Sequence, residues 1–212
     1  MTNRVKPWTV RGSRYLIRAR WLTARIDDCV TPADIDVPYY VQEYPGWVNV
    51  VALDKEDHLI LVRLYRHALG DISLELPGGC IEEGESPVEA GARELLEEAG
   101  YGDPTRLTLI ASLSPNTSTH ANLVHTVLAE GVSLIGVPED DGVEVLDVER
   151  VSYRQALALA MSGAIMQAAH IMRPRKSRCE AWERQGADFI KNWRPLGESN
   201  KFYNALNYNE NL

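Results

Sequence analysis

Glu94, Glu97 and Glu98 stand at i, i+3 and i+4 within GCIEEGESPVEAGARELLEEAGY, residues 79–101. On a helix those spacings bring three carboxylates onto one face. Each like-charged neighbour at that spacing costs roughly 0.2–0.5 kcal/mol, so the cluster calls for a positive partner. A hard divalent cation, magnesium or manganese, is the natural candidate, because such ions prefer oxygen ligands. Magnesium keeps several waters and bridges to phosphate oxygens, so the chemistry indicated is phosphoryl transfer and not a structural cage. The backbone of Pro77-Gly78-Gly79, unencumbered by side chains at the glycines, can come close enough for a carbonyl such as that of Gly78 to complete a coordination sphere. Arg93 is spaced to pair with Glu85 across the loop–helix junction and so hold the carboxylates in place. The plainer alternative is a solvated face, since Glu89 and Arg93 also make an ordinary i, i+4 pair.

The element that must position these groups is bounded by clear signals. Ser86 suits an N-cap, Glu89 completes a capping box with it, Pro87 suits the first helical position and Gly100 a helix end, which predicts a helix over 87–99. Val88, Ala92, Leu95 and Ala99 form an apolar stripe that should bury against a sheet. At 100° per residue Glu94 and Glu98 lie at one edge of that stripe and Glu97 lies farther toward solvent, which favours Glu94 and Glu98 as inner ligands.

The same window resembles the signature of the Nudix hydrolases: Gly79, Glu85, Arg93, Glu94, Leu95, Glu97, Glu98 and Gly100 fill its places, and Tyr101 alone departs, an aromatic where an aliphatic is usual. The resemblance implies an α+β fold of the Nudix type, an α/β/α sandwich around a mixed sheet. It also implies metal-dependent hydrolysis of a nucleoside diphosphate derivative to a nucleoside monophosphate and a phosphorylated remainder. On that reading Glu85, Arg93 and Glu98 belong to the catalytic set, and Glu94, Glu97, Glu98 and Gly78 hold the metal. A general base from a later loop is either Asp141 or Glu144, with Glu144 favoured; an acidic surface turn is the alternative for both.

Residues 61–79, LVRLYRHALGDISLELPGG, look like the segment that precedes the box in ADP-ribose pyrophosphatases. Tyr65-Arg66 and Glu75-Leu76-Pro77-Gly78-Gly79 fill the recurring places, and Pro115 stands near a further mark of that subgroup. The resemblance points to ADP-ribose or a related nucleotide sugar as substrate. Arg66 would meet the pyrophosphate as a cationic fork, and Glu75 would orient it or a ribose hydroxyl. Trp47 or Tyr44 would stack on a base, with a place in the core as the alternative. GDP-mannose, a dinucleoside polyphosphate or a coenzyme-type pyrophosphate stays open. So does a Nudix-like sensor that binds without cleaving, although such modules often lose a box glutamate and all are kept here.

At 212 residues, 45% hydrophobic and 25% charged, the chain is long enough to bury a sizeable core. Its net charge of −8 argues against nucleic acid as a partner. Cys29, Cys80 and Cys179 form no CxxC pair, which fits a reducing cytoplasm. Neither a signal peptide nor an apolar run of membrane-spanning length is evident, so no membrane partner is expected.

Strands are expected within 15–27, at 39–44, 47–53, 59–65, 74–76, 107–113, 123–129 and 143–148, with turns at 30–38 and 54–57 and a second helix over 153–172. Residues 1–45, rich in aromatics, precede the 46–175 hydrolase-like region. They would form a small antiparallel sheet serving a homodimer, or else extend the same core. Residues 176–212 read as a C-terminal helix and a polar, asparagine-rich tail.

Overall fold

A computed structural model describes residues 5–139, 142, 144–165 and 167 of the chain. It contains two sheets. The first is antiparallel, ordered β1(Thr9–Arg18), β2(Thr23–Val30), β3(Asp36–Glu43). The second has eight strands: β4(Trp47–Asp54), β5(His58–Arg66), β6(Asp71–Glu75), β7(Gly78–Cys80), β8(Tyr101–Gly102), β9(Arg106–Leu113), β10(Val124–Leu134) and β11(Asp147–Ser152). Its main path runs β11-β5-β4-β10-β8, with β6 on β5, β7 on β4 and β9 on β10. The β4–β10 pair is parallel and its neighbours antiparallel, so the sheet is mixed, as expected.

Alternation along β4 and β5 explains why both read as near-continuous apolar runs: each is covered on both faces. Val50, Ala52, Ile60, Val62 and Leu64 turn to one face and pack with Leu95 and Ala99 of α1(Pro87–Ala99). Leu59 and Leu61 turn to the other, with Val51 and Leu53, and pack with Ala156 and Leu159 of α2(Tyr153–Ser162). The result is the expected α/β/α sandwich. Helix α1 has the predicted bounds, with the Ser86–Glu89 capping box formed and Gly100 closing it at φ 69° in the left-handed region.

Four expectations about elements need correction. The strand expected over 143–148 is β11, at Asp147–Ser152, where Arg63–Glu149 and the pairs from Arg150 to Asp54 and Glu56 pin its register against β5. The second helix stops at Ser162, because Gly163 caps it at φ 78°; the rest of its expected span beyond 167, like the expected C-terminal helix and tail, lies outside the described residues. The turn expected over 30–38 occupies less, since β3 already begins at Asp36. Gly78–Cys80, expected as loop, is a short strand on Trp47–Asn49.

The small sheet does not extend the main core. Every residue of β1 is exposed, and Trp8, Val10, Tyr15, Leu16, Ile17, Trp21 and Tyr40 present large apolar side chains to solvent. Its hold on the body is a strap of residues 118–121. There the Gln42 N–H donates to the Thr119 carbonyl at 2.7 Å, the Ala121 N–H to the Gln42 carbonyl at 3.0 Å, and the Tyr39 hydroxyl to the Ser118 carbonyl at 2.5 Å.

Candidate active site

Helix α1 approaches the sheet closely because its inward face is small. A Cβ on Gly91 would lie 3.3 Å from both Val127 Cγ2 and Val50 Cγ2, so even a methyl group would press on both valines, and glycine suits this close approach. The buried face is Ala90, Gly91, Leu95, Glu98 and Ala99, while Val88 and Ala92 are only half-buried. The stripe is thus rotated from the one expected, and Glu98 falls inside the buried face and not at its edge. Its carboxylate is anchored by the Gly78 N–H, which donates to Oε2 at 2.7 Å. Strand β7 can present that N–H because Gly78 is pressed on β4: a Cβ there would run into the Val48 carbonyl.

Arg93 is the hub of the opposite half. It donates through Nε and Nη2 to both oxygens of Glu85 at 2.8 and 3.0 Å, and through Nη1 to Glu94 and to Glu97 at 2.9 Å each. A further bond to the Cys80 carbonyl at 3.0 Å ties the loop to the helix. The expected Arg93–Glu85 pair is therefore present and extends to two of the three clustered glutamates. This also alters the charge accounting, because the positive partner that the cluster calls for is supplied in part by the chain itself. Among the described residues no three Asp, Glu, His or Cys side chains converge as a closed metal cage, since the guanidinium occupies the space between Glu94 and Glu97.

Glu98 takes part in none of the ion pairs among the described residues. Burial pushes its carboxyl up to about 8; the Gly78 N–H and Arg66 oppose the rise, and Glu94 and Glu144 add to it. Burial also raises Glu94, against Arg93. Hydrogen bonds from Arg93 hold Glu85 down at about 2. The donors facing the Gly78–Gly79 strand are hard oxygens carrying excess negative charge, and Gly79 fits against Glu94 so closely that a Cβ would come within 2.5 Å of Oε1. An open, one-sided set of this kind could hold a cation such as magnesium, which retains several waters and needs few protein ligands.

Arg66, at the end of β5, is gripped by Glu75 through Nε and Nη2 at 3.1 and 2.9 Å. The side chain of Glu75 is only 3% exposed, so it holds Arg66 and has no open face for a ribose. Glu144 accepts from Arg66 Nη1 at 3.3 Å, which brings it to the same side as Glu98. Asp141 lies outside the described residues. Trp47 opens β4 opposite Cys80, and its indole donates to the Cys80 sulfur. Its ring packs against Tyr44 at 5.2 Å, and Tyr44 stacks on His120 at 5.1 Å and 21°. His120 reaches this ring pair from the strap, distant in sequence, and no local signal announces it. His125, in β10, bonds Ser112 across strands at 2.8 Å.

A family model of the NUDIX domain matches residues 44–169, and the chain belongs to the Nudix family. It is 33% identical to the ADP-ribose pyrophosphatase of Bacillus subtilis over 132 residues, 60% of this chain and 69% of that protein. It is 30% identical to the CMP-5'-(N-acetyl-N-hydroxy-3-aminopropyl)phosphonate hydrolase of Streptomyces rubellomurinus, covering 63% of this chain and 64% of that one. The chain thus spans about two thirds of the length of these relatives. The fold is similar to a crystal structure of an ADP compounds hydrolase, with a TM-score of 0.64 at 24% identity over 89% of this chain and 95% of that one. Among the described residues no helix is long and apolar enough to cross a membrane.

Proposed function

We propose that the chain hydrolyses the pyrophosphate bond of a nucleoside diphosphate derivative, ADP-ribose or a related nucleotide sugar, giving a nucleoside monophosphate and a sugar phosphate. The observation that carries this reading is Glu98, a buried carboxylate without an ion pair among the described residues, raised to about 8 and anchored by the Gly78 N–H. A buried acid in that condition gains most from added positive charge. A magnesium or manganese ion held by Glu94, Glu97, Glu98 and the Gly78 carbonyl would lower the pKa of water and offset phosphate charge.

The chain's own groups supply the rest. Arg93 holds Glu94 and Glu97 in place, and Glu85 fixes Arg93 in turn. Arg66, immobilised by Glu75, offers its outer N–H groups to the diphosphate. As water adds to one phosphorus, the bridging P–O bond breaks, the departing phosphate keeps the bridging oxygen, and Glu144 takes the proton of the water. Trp47 lines the approach to Gly79 and would meet the nucleoside end. The 30–33% identity to enzymes acting on ADP-ribose and on a CMP conjugate supports a nucleotide-linked substrate.

A homodimer held through the small N-terminal sheet is part of the proposal. Its support is the run of exposed aromatics together with charge: residues 1–26 contain seven Lys or Arg and no Asp or Glu, leaving fifteen basic against thirty acidic residues from 27 onward. The basic edge strand β1 of one copy, with Arg11, Arg14 and Arg18 and no acidic residue, is complementary to the acidic body of another. The chain acts in the cytoplasm on this reading.

The deciding test is release of phosphate monoester from a panel of ADP-ribose, GDP-mannose, dinucleoside polyphosphates and coenzyme pyrophosphates, with magnesium or manganese. Turnover of ADP-ribose above the rest is expected, and silence across the panel sinks the enzyme reading. Glu98→Gln should lower kcat by about 100-fold or more, at least the loss seen on disturbing groups that merely support a metal ligand, with the fold retained.

A further inference from the structure

Arg66 carries two carboxylates in unlike ways. Glu75 takes two of its N–H groups at 2.9 and 3.1 Å with a side chain 3% exposed, whereas Glu144 takes a third at 3.3 Å with a side chain 51% exposed. The first pair is a buried, bidentate clamp. The second is long, single-contact and wet, the kind of ion pair that contributes little and exchanges readily. Glu144 sits, moreover, on Nη1, the guanidinium nitrogen that the clamp to Glu75 does not engage. From there it adds to the negative field on Glu98, which Arg66 opposes.

We propose that Glu144 is an internal competitor for the anion site of Arg66, so that a substrate diphosphate docks by exchanging with the Glu144 carboxylate. The exchange has two effects. It charges the substrate an entry cost equal to the Glu144–Arg66 contact, which weakens binding of any anion too poorly charged to displace it and so selects diphosphates over monophosphates. It also releases the Glu144 carboxylate from Arg66 at the moment the substrate arrives, so that its oxygens can turn to the attacking water. This rests on the assignment of Arg66 to the pyrophosphate.

Binding of inorganic pyrophosphate, measured calorimetrically on the full chain without divalent metal so that turnover plays no part, tests it as a double-mutant cycle. Arg66→Lys, which keeps a cation for buried Glu75 but loses the fork, should weaken binding. If it does not, or if the unaltered chain fails to bind, the assignment of Arg66 falls with the reading it rests on. Given that weakening, Glu144→Gln in the otherwise unaltered chain should tighten binding by about 1.5- to 5-fold, the span an exposed ion pair supports. In the Arg66→Lys background the same change should shrink toward nothing. No tightening by Glu144→Gln, or equal tightening in both backgrounds, overturns the competition, the latter because it would reflect only the removal of a negative charge nearby.

Discussion

At the scale of single residues, the three glutamates of one helical face are distributed between two different holders. Glu94 and Glu97 share Arg93, whereas Glu98 has a backbone N–H and a deep position. The pH dependence follows from that difference. The Glu98 carboxyl has an ordinary value near 4.5 and a folded value of about 8. Between those values the folded chain keeps a proton that the unfolded chain has released, so its contribution to stability is full below the lower value and is lost as pH rises through the upper one. In thermal melts without divalent metal, the advantage of Glu98→Gln over the unaltered chain should therefore grow from pH 5 to pH 8.5; a difference constant with pH would refute it. Glu98 and its neighbours were legible from spacing alone. That Glu98 is the buried member was not, because the stripe was drawn through Val88 and Ala92 on apolarity, while the packing of a glycine decides which side turns inward.

At the scale of elements, α1 illustrates what local chemistry specifies. Its start and stop are set by Ser86, Glu89, Pro87 and Gly100, groups that satisfy or terminate backbone hydrogen bonds within a few residues, so its bounds could be read directly. Its rotation about its own axis depends on Gly91 meeting Val50 and Val127, which lie far away in sequence. Gly91→Val should push the helix off the sheet and cost about 1–3 kcal/mol, as overpacking does. It should also lower turnover, because Glu98 would leave the reach of the Gly78 N–H. Chemical denaturation paired with a kcat measurement checks both, and an unchanged midpoint would show that the helix has slack. Strand β11 makes the complementary point. Residues 143–148 have the apolar character of a strand, yet the register is taken by Asp147–Ser152 because Glu149 and Arg150 find partners on Arg63, Asp54 and Glu56. Pairing across elements outweighed local propensity there.

At the scale of the whole molecule, charge is segregated along the chain in a way that the net value of −8 conceals. Residues 1–26 hold seven of the 22 Lys and Arg and no acidic residue, and there Arg18 lies 3.8 Å over the Tyr15 ring and Arg20 lies 4.5 Å over Trp21. If this sheet joins two copies, deleting residues 1–45 should yield a monomer with impaired substrate binding. Raising salt from about 0.05 to 0.5 M should weaken the intact dimer, because screening shortens the reach of surface charge to a few ångströms. Sedimentation velocity reads both, and a dimer indifferent to the deletion would exclude the small sheet as its seat. Counting charge by segment would have exposed this asymmetry in the sequence, which a whole-chain sum averages away.

The strap that holds the small sheet has a bearing on how the chain is born. Tyr39 takes its grip on Ser118, 79 residues further on, and Gln42 on Thr119 and Ala121 beside it. At roughly 5–20 residues per second, the ribosome adds that many residues in about 4–16 s. For that interval β1, with its arginines and with Trp8 and Trp21 at its flanks, is already outside the tunnel while the segment that will anchor its sheet has yet to be made, so the strand exposed at every residue also waits long for its place.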